Sequence, residues 1–158
     1  MSELHDQLIL RPVRPDERDA LLALYNPHLH SHDDPLPPED QVEAVWQAII
    51  QNPIITCLVA EYQGQLIASC TLTIMPNLTH GARPYAMLET VVTHSDYRNQ
   101  GIGQRLLKHA LNMAWEQHCY KVMLMTGRKD EAIIHFYESV GFKRDVKTGY
   151  HATPPENH

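Results

Sequence analysis

Arg98-Asn99-Gln100-Gly101-Ile102-Gly103 is the stretch that decides the fold, because a strand pattern precedes it and a helix pattern follows it. Residues 85–93 are rich in β-branched and apolar side chains and predict a strand. After the stretch, Leu106, Ala110 and Met113 continue an apolar stripe at helical spacing. A strand, a glycine turn and a helix point several backbone N–H groups at one spot, where the helix dipole also attracts an anion. The six residues therefore predict a phosphate-binding loop.

Two better-known phosphate loops do not fit these residues. A Walker A loop needs Gly-Lys-Ser/Thr, whereas Gly103 is followed by Gln104 and Arg105. A dinucleotide-binding fingerprint needs a third glycine at the position of Leu106. The pattern that remains is Arg-x-x-Gly-x-Gly entering a long helix, and its simplest alternative interpretation is an ordinary turn followed by a helix cap.

This pattern resembles the signature loop of the GNAT superfamily of N-acetyltransferases, in which the loop holds the pyrophosphate of acetyl-CoA. Further on, Phe136-Tyr137-Glu138-Ser139-Val140-Gly141-Phe142 resembles the second signature of that superfamily. It closes a short predicted helix, with Asp130 as a good N-cap and Gly141 as the terminating glycine. An apolar run at 119–126 lies between the two signatures and predicts a strand. The resemblance covers residues 85–143.

The resemblance implies an α/β (α+β) fold with a mixed, mostly antiparallel sheet flanked by helices, splayed at the strands around 85–94 and 119–126. The residue patterns predict the order β-α-α-β-β-β-α-β-α-β. The further predicted elements are a strand at 8–14, a helix opened by Pro15, a loop at 27–38, a helix at 39–51, a hairpin of strands at 56–62 and 66–74, and a strand at 146–151. In the helix at 39–51, the predicted core face consists of Val42, Val45, Trp46 and Ile49. With 158 residues and no linker, a single domain over 1–158 is expected, ending in a frayed tail at 152–158.

Acetyl-CoA is the cofactor and acetyl donor that the resemblance implies, with no metal. Its pantetheine arm is expected to pair with the backbone of Val91 and Thr93 in the gap of the sheet. The oxyanion is expected to meet an N–H of Val91 or Val92. Asp130 stands where many relatives have asparagine, which places it near the thiol end of the cofactor. The positions implied for the pyrophosphate are Arg98, Asn99, Gln100, Gly101, Ile102, Gly103 and Gln104, although a plain solvated arginine is an alternative interpretation of Arg98.

Two residues are the catalytic candidates by the same resemblance. Tyr137 matches the tyrosine that faces the cofactor sulfur in many relatives, and it is the candidate general acid. Glu89 lies where many relatives carry a catalytic carboxylate, and it is the candidate base, acting through a water. The structural alternatives are a core tyrosine on an amphipathic helix and a solvent-facing strand residue.

The acceptor side is the least determined part of the sequence. His28, His30 and His32 invite a metal-binding interpretation, but no matching Cys or His pair lies nearby in sequence, and a substrate-facing or solvated loop is the alternative. His30 is therefore a substrate candidate. His80 and Arg83, in the loop before the strand at 85–93, are candidates for an anionic group of the substrate. The segments Cys119-Tyr120-Lys121-Val122 and Phe136-Tyr137-Glu138 also look like the branch that includes glucosamine-6-phosphate N-acetyltransferase, which points to small-molecule acceptors and to a homodimer.

Composition bounds the remaining possibilities. A formal net charge of −6 without a Lys/Arg cluster argues against nucleic-acid binding. The apolar runs are too short to span a membrane, and the N-terminus lacks a signal-peptide pattern. Cys57, Cys70 and Cys119 are an odd number in apolar surroundings, which predicts buried free thiols and a cytoplasmic location.

The function that these observations favour is acetyl-CoA-dependent N-acetylation of a primary amine on a small molecule. Two alternatives remain open at this point. One is a protein or peptide N-acetyltransferase, for which Asp33, Asp34 and Glu39 would supply an acidic wall. The other is a non-catalytic acetyl-CoA-binding module.

Overall fold

Five strands form one sheet in the order β1-β2-β3-β4-β5 in the computed structural model, which describes residues 2–29 and 34–156. The first four strands are antiparallel neighbours, and β5 runs parallel to β4. The prediction of a mixed, mostly antiparallel sheet is therefore confirmed. The strands are β1 (Ile9–Pro12), β2 (Ile55–Tyr62), β3 (Gln65–Met75), β4 (Tyr85–Thr93) and β5 (Val122–Met123).

Six helices accompany the sheet in the described ranges. They are α1 (Glu3–Gln7), α2 (Arg18–Leu29), α3 (Glu39–Ile50), α4 (Thr79–Ala82), α5 (Ile102–Glu116) and α6 (Glu131–Val140). Helix α1 was not predicted, and two buried leucines, Leu4 and Leu8, hold this otherwise polar segment. Helix α2 continues to Leu29, so the predicted loop start at Pro27 is wrong. A proline in the last turn removes one helical hydrogen bond, and the turn still forms.

The chain divides into two compact units, Met1–Leu124 and Met125–His158. The sheet and helices α1 to α5 belong to the first unit, and α6 belongs to the second. The single domain expected over 1–158 stays a prediction.

The sheet of the first unit is covered by helices on both faces. On one face, Leu21 of α2 and Trp46 of α3 form a buried cluster with Cys57, Val59 and Leu66. Side chains alternate along a strand, so the intervening Leu58, which is 0% exposed, points to the other face. Helix α5 covers that second face with a buried stripe of Ile102, Leu106, Leu107, Ala110 and Ala114. The predicted buried free thiols are also found, at Cys57, Cys70 and Cys119.

The hairpin of β2 and β3 turns on two residues that both have positive φ. Gln63 has φ 49° and Gly64 has φ 80°, which is the geometry of the two-residue turns that match strand twist. The predicted hairpin is confirmed, with strand ends within one residue of those expected.

Two predicted strands differ from the structure. The strand expected at 119–126 is reduced to β5. Cys119 N–H closes the turn after α5 by donating to Ala114 O at 3.0 Å, and Tyr120 N–H donates to Pro84 O at 3.0 Å, directly before β4. The strand expected at 146–151 is absent, since residues 142–156 contain no helix or strand. Val146 is 70% exposed, and Gly149 has no side chain to pack.

Arg11 of β1 ties three elements together. Its guanidinium pairs with Glu17 at 2.7 Å and with Glu61 of β2 at 2.6 Å, and the three side chains are 14%, 16% and 18% exposed. The hydrogen bond from Arg11 is the main cause that lowers the pKa of the Glu17 carboxyl below its ordinary 4.5. The same bond with Glu17 is the main cause that raises the pKa of Arg11.

We expect Glu17→Gln to lower the free energy of unfolding by about 1–3 kcal/mol at neutral pH, because it removes the ionised partner of a mostly buried guanidinium. The folded pKa of Glu17 is lowered, so its contribution is present above its unfolded pKa and is lost as pH falls through the folded value. The gap between wild type and variant should therefore shrink as the pH is lowered from about 6 to about 3. Urea titrations at several pH values measure both effects.

The control is Glu138→Gln, whose partner Arg144 is 61% exposed. An exposed pair of this kind contributes about 0–1 kcal/mol. Equal stability losses in the two variants, or a gap for Glu17→Gln that does not depend on pH, would contradict the interpretation.

Candidate active site

The backbone of the loop between β4 and α5 has the shape of an anion cradle. A single turn of 3-10 helix (Ser95–Tyr97) follows β4, and Asn99 and Gly101 then take positive φ of 60° and 78°. Left-handed residues alternating with ordinary ones turn successive N–H groups toward the same point. Asparagine and glycine are the residues that adopt this backbone at least cost.

The first turn of α5 supplies the donors. Gly101 is its N-cap, no side chain caps it, and the first helical bond runs from Arg105 N to Gly101 O at 3.1 Å. Within the described chain, the N–H groups of Ile102, Gly103 and Gln104 therefore have no backbone acceptor. Unpaired N–H groups at the positive end of a helix dipole are suited to a phosphate, and phosphate binding by these three groups stays a prediction.

The arginines of this region brace the loop. Arg98 Nε donates to Thr93 O at 3.2 Å, and its Nη2 lies 3.4 Å from His28 Nδ1. Arg105 Nη1 donates to His5 O at 2.6 Å, while His5 Nε2 lies 2.6 Å from Gln100 O. Both arginines are thus engaged by groups of the protein itself, and phosphate contact by Arg98 stays a prediction.

His28 lies in α2 and contacts His94 and Arg98 of the loop between β4 and α5. Its ring meets His94 edge-on at 5.2 Å, and its Nε2 is buried without a hydrogen-bond partner in the described residues. Burial is the main cause that lowers the pKa of His28, and the positive charge of Arg98 adds to it. A neutral His28 can accept a hydrogen bond from Arg98 at Nδ1. Across the described ranges, no group of three His, Cys, Asp or Glu side chains is placed to hold a metal, while His30 and His32 lie outside them.

Strand β4 has an open edge. β5 pairs with it only at Ala86 and Met87, and no described strand flanks residues 88–93 on that side. His94 N–H donates to Ile67 O of β3 at 2.8 Å. Because N–H directions alternate along a regular strand, the N–H group of Thr93 faces the open edge, whereas that of Val92 faces β3. An outward direction for the N–H of Val91, which lies beside a bulge, stays a prediction.

A bulge interrupts β4 beside this edge. Glu89 pairs with Thr71 and Val92 pairs with Ser69, so two residues of β4 oppose Cys70 alone. The extra residue is Thr90, whose φ of 55° is rare for a β-branched side chain. Such backbone costs about 1–2 kcal/mol, and strain of this kind concentrates at functional sites.

The bulge exposes two neighbouring side chains, Glu89 and Thr90, where a regular strand would bury one of them. Glu89 lies directly opposite Thr71, so both point to the face of the sheet that α2 and α3 cover. Glu89 forms no ion pair with any described residue. A cavity of about 400 Å³ lies on this same face, between the sheet and α2 and α3, and both Thr71 and Thr90 line it.

The second unit holds the other catalytic candidate. Helix α6 begins and ends where predicted, because Asp130 Oδ1 accepts from Ile133 N at 3.1 Å and Gly141 takes φ 115°. That hydrogen bond is the main cause that lowers the pKa of Asp130, and Arg128 pairs with the same carboxylate at 3.1 Å. Tyr137 is half-buried between the rings of Phe136 and Phe142, at 5.0 and 6.1 Å. The roles proposed for Tyr137 and Asp130 stay predictions.

The substrate candidates of the loop before β4 lie elsewhere. His80 stacks on Tyr120 at 3.9 Å, and Arg83 lies 5.8 Å from the same ring and donates to His80 O. Neither lines the cavity beside Thr90. Their role in binding an anionic group stays a prediction, and His30 lies outside the described residues.

Sequence reasoning missed two features of the site. One is the bulge, whose only signal is a polar Thr90 in the buried register of Ala86, Leu88 and Val92. The other is the contact of His5 with Gln100, which no sequence pattern indicates.

The chain belongs to the acetyltransferase (GNAT) family, whose model matches residues 19–142. The solved structure named "Putative acetyltransferase from Agrobacterium tumefaciens str. C58" is 41% identical, with a TM-score of 0.84 over 92% of this chain and 99% of that one. The chain is also 34% identical to glucosamine 6-phosphate N-acetyltransferase from Trypanosoma brucei brucei, over 51% of this chain and about half (52%) of that relative. The structure of AAC(6')-Iy in complex with a bisubstrate analog, CoA-S-monomethyl-acetylneamine, shares the fold, with a TM-score of 0.75 at 15% identity over 94% of this chain and 99% of that one.

These matches confirm the predicted family and fold class, and acetyl-CoA is the donor that the family uses. No helix among the described residues is long and apolar enough to cross a membrane.

We expect Thr90→Gly to leave the free energy of unfolding unchanged or slightly raised, because glycine relieves about 1–2 kcal/mol of left-handed strain. Thr73→Gly is the matched control, since Thr73 lines the same cavity from the regular strand β3. There glycine should cost about 1 kcal/mol. Thermal or urea unfolding of both variants measures the difference, and equal losses would show that the backbone at Thr90 is unstrained.

Proposed function

We propose that this chain transfers the acetyl group of acetyl-CoA to the primary amine of a small molecule. The observation that carries the proposal is the open edge of β4 running directly into a loop whose N–H groups have no acceptor. An extended arm along that edge and a diphosphate on that loop are the two parts of one ligand.

Each backbone donor has one place in this proposal. Ile102, Gly103 and Gln104 bind the pyrophosphate, with Asn99 and Gly101 shaping the turn. Thr93 pairs with the pantetheine arm along the open edge. Since one N–H group cannot serve two acceptors, Val91 N–H is left to donate to the carbonyl oxygen on which charge develops. The N–H group of Val92 faces β3 and is therefore not available to donate to the developing oxyanion.

The side chains handle protons. Acetyl-CoA, when bound, supplies an activated thioester. Glu89 takes the ammonium proton through a water, and Tyr137 gives its hydroxyl proton to the departing thiolate. A C–N bond forms as the C–S bond breaks, and the second proton of the attacking nitrogen restores the Tyr137 hydroxyl through water. The products are the N-acetylated amine, coenzyme A and the one proton that Glu89 passes on to water.

One relative favours a small-molecule acceptor. It is named for glucosamine 6-phosphate, whereas the structure solved with CoA-S-monomethyl-acetylneamine, at 15% identity, supports the fold alone. A walled cavity beside Thr90 also fits a small amine better than an extended peptide.

We expect Glu89→Gln and Tyr137→Phe each to lower kcat by about 100-fold, since general acid–base groups contribute about 10²–10⁴. The assay is release of free thiol from acetyl-CoA with a panel of primary amines. Glu116→Gln and Tyr150→Phe make the same chemical changes at exposed positions and should leave kcat unchanged. Unchanged turnover in both Glu89→Gln and Tyr137→Phe would overturn the assigned roles.

We expect Gly101→Ala to raise the Kd for coenzyme A at least about tenfold, because it strains the turn that aligns the N–H groups. Gly64→Ala is the matched control, since Gly64 has a similar φ of 80° but lies in the β2–β3 turn. Calorimetric titration measures both affinities. Equal effects of the two substitutions would mean that general instability, and not the loop, weakens binding.

A further inference from the structure

The cavity beside Thr90 has an apolar body and a polar end. Helix α3 contributes Val42, Val45, Trp46 and Ile49 to its wall, and α2 adds Leu21 and Leu22. The sheet contributes three threonines, Thr71, Thr73 and Thr90, on the side where Glu89 stands. A volume of about 400 Å³ lies within the range of small-molecule sites, about 300–1,000 Å³.

The charged side chain that lines this cavity is paired with carboxylates that lie just outside the lining. Arg18 is the only charged side chain among the described lining residues. Its guanidinium is already engaged by Asp19 at 3.0 Å, Glu39 at 2.5 Å and Glu43 at 2.6 Å. Arg18 and these three carboxylates together carry a formal charge of −2, which favours an ammonium group and leaves a phosphate no unpaired cation among the described lining residues.

We propose that the acceptor is a primary amine carried on an apolar aliphatic or aromatic body. This inference rests on the proposed function, and the cavity is the observation that carries it. The amine lies at the threonine end, within reach of Glu89, and the apolar body lies against Val42, Val45 and Ile49. Sugar hydroxyls or a phosphate placed against Val42, Val45 and Ile49 would lose hydrogen bonds with water, and these three side chains offer no replacement. The acceptor therefore differs from the amino sugar phosphate for which one relative is named.

Burial of apolar surface sets the size of the expected preference. Each methylene that leaves water contributes about 0.8 kcal/mol, which is about a threefold to fourfold change in an equilibrium or rate ratio. A straight-chain amine should therefore gain by this factor per carbon until the cavity is filled.

The test measures kcat/KM with propylamine, butylamine, pentylamine, hexylamine and octylamine, with 2-phenylethylamine, and with glucosamine 6-phosphate. We expect kcat/KM to rise about threefold to fourfold per methylene along the alkyl series. 2-Phenylethylamine should exceed propylamine, and glucosamine 6-phosphate should be the poorest acceptor. Mass spectrometry of the products identifies the acetylated amine.

A pair of variants locates the effect in the cavity. Val45 is 52% exposed and lines the cavity, so Val45→Lys places a cation on its wall without disturbing the core. It should lower kcat/KM for hexylamine at least about tenfold and leave the KM for acetyl-CoA unchanged. Ala48→Lys makes the same charge change at an exposed position of α3 outside the lining and should leave both unchanged.

The outcomes separate this inference from the proposed function. Calorimetric binding of coenzyme A together with a flat alkyl series, or with glucosamine 6-phosphate as the best acceptor, would overturn the inference alone. Equal losses in Val45→Lys and Ala48→Lys would also overturn it. Absence of coenzyme A binding would overturn the proposed function and this inference with it.

Discussion

The half-paired state of β4 is the constraint on which the rest of the molecule depends. An open strand edge normally invites unwanted pairing, so a fold keeps one only where it is short, covered or used. Here β5 ends after two residues, and the chain beyond Leu124 belongs to a different compact unit. Antiparallel pairing with β3 on the other edge holds β4 in place, and α5 packs beneath it. The unpaired edge of β4 is thus fixed in position by its contacts with β3 and α5.

Unusual backbone conformations cluster where the open edge of β4 leads into the loop before α5. Thr90 holds a left-handed backbone within a strand, and Asn99 and Gly101 repeat that conformation within the next eleven residues. The loop is stabilised by long-range contacts from α1 and α2, through His5 and His28. A cradle that must leave its own N–H groups unpaired cannot be stabilised by those groups, so neighbouring side chains supply the support.

What the sequence predicts well is what short-range physics determines. The loop, helix α5, the hairpin at Gly64 and the caps of α6 each follow from residues within a few positions of one another. The length of β5, the absence of a strand at 146–151 and the bulge at Thr90 depend on pairing with distant chain, and no local pattern encodes them. His5 is the extreme case, because its contact with Gln100 spans 95 positions.

The cavity beside Thr90 shows a second limit on what the spacing of apolar residues can predict. The spacing of Val42, Val45, Trp46 and Ile49 predicts a helix face turned toward a core, and all four do lie on one side of α3. Trp46 is 5% exposed and donates Nε1–H to Pro15 O at 3.0 Å, as a core residue does, whereas Val45 is 52% exposed. A helical apolar stripe has the same sequence signature whether it is covered by protein or left to face a cavity. The sheet determines whether this face of α3 is covered. Threonines at 71, 73 and 90 are too small to fill the space that larger apolar side chains would occupy, so a cavity remains. In the proposed acceptor site, the residues that would select the substrate are ones that a pattern assigns to the core, so family membership says more about the donor than about the acceptor.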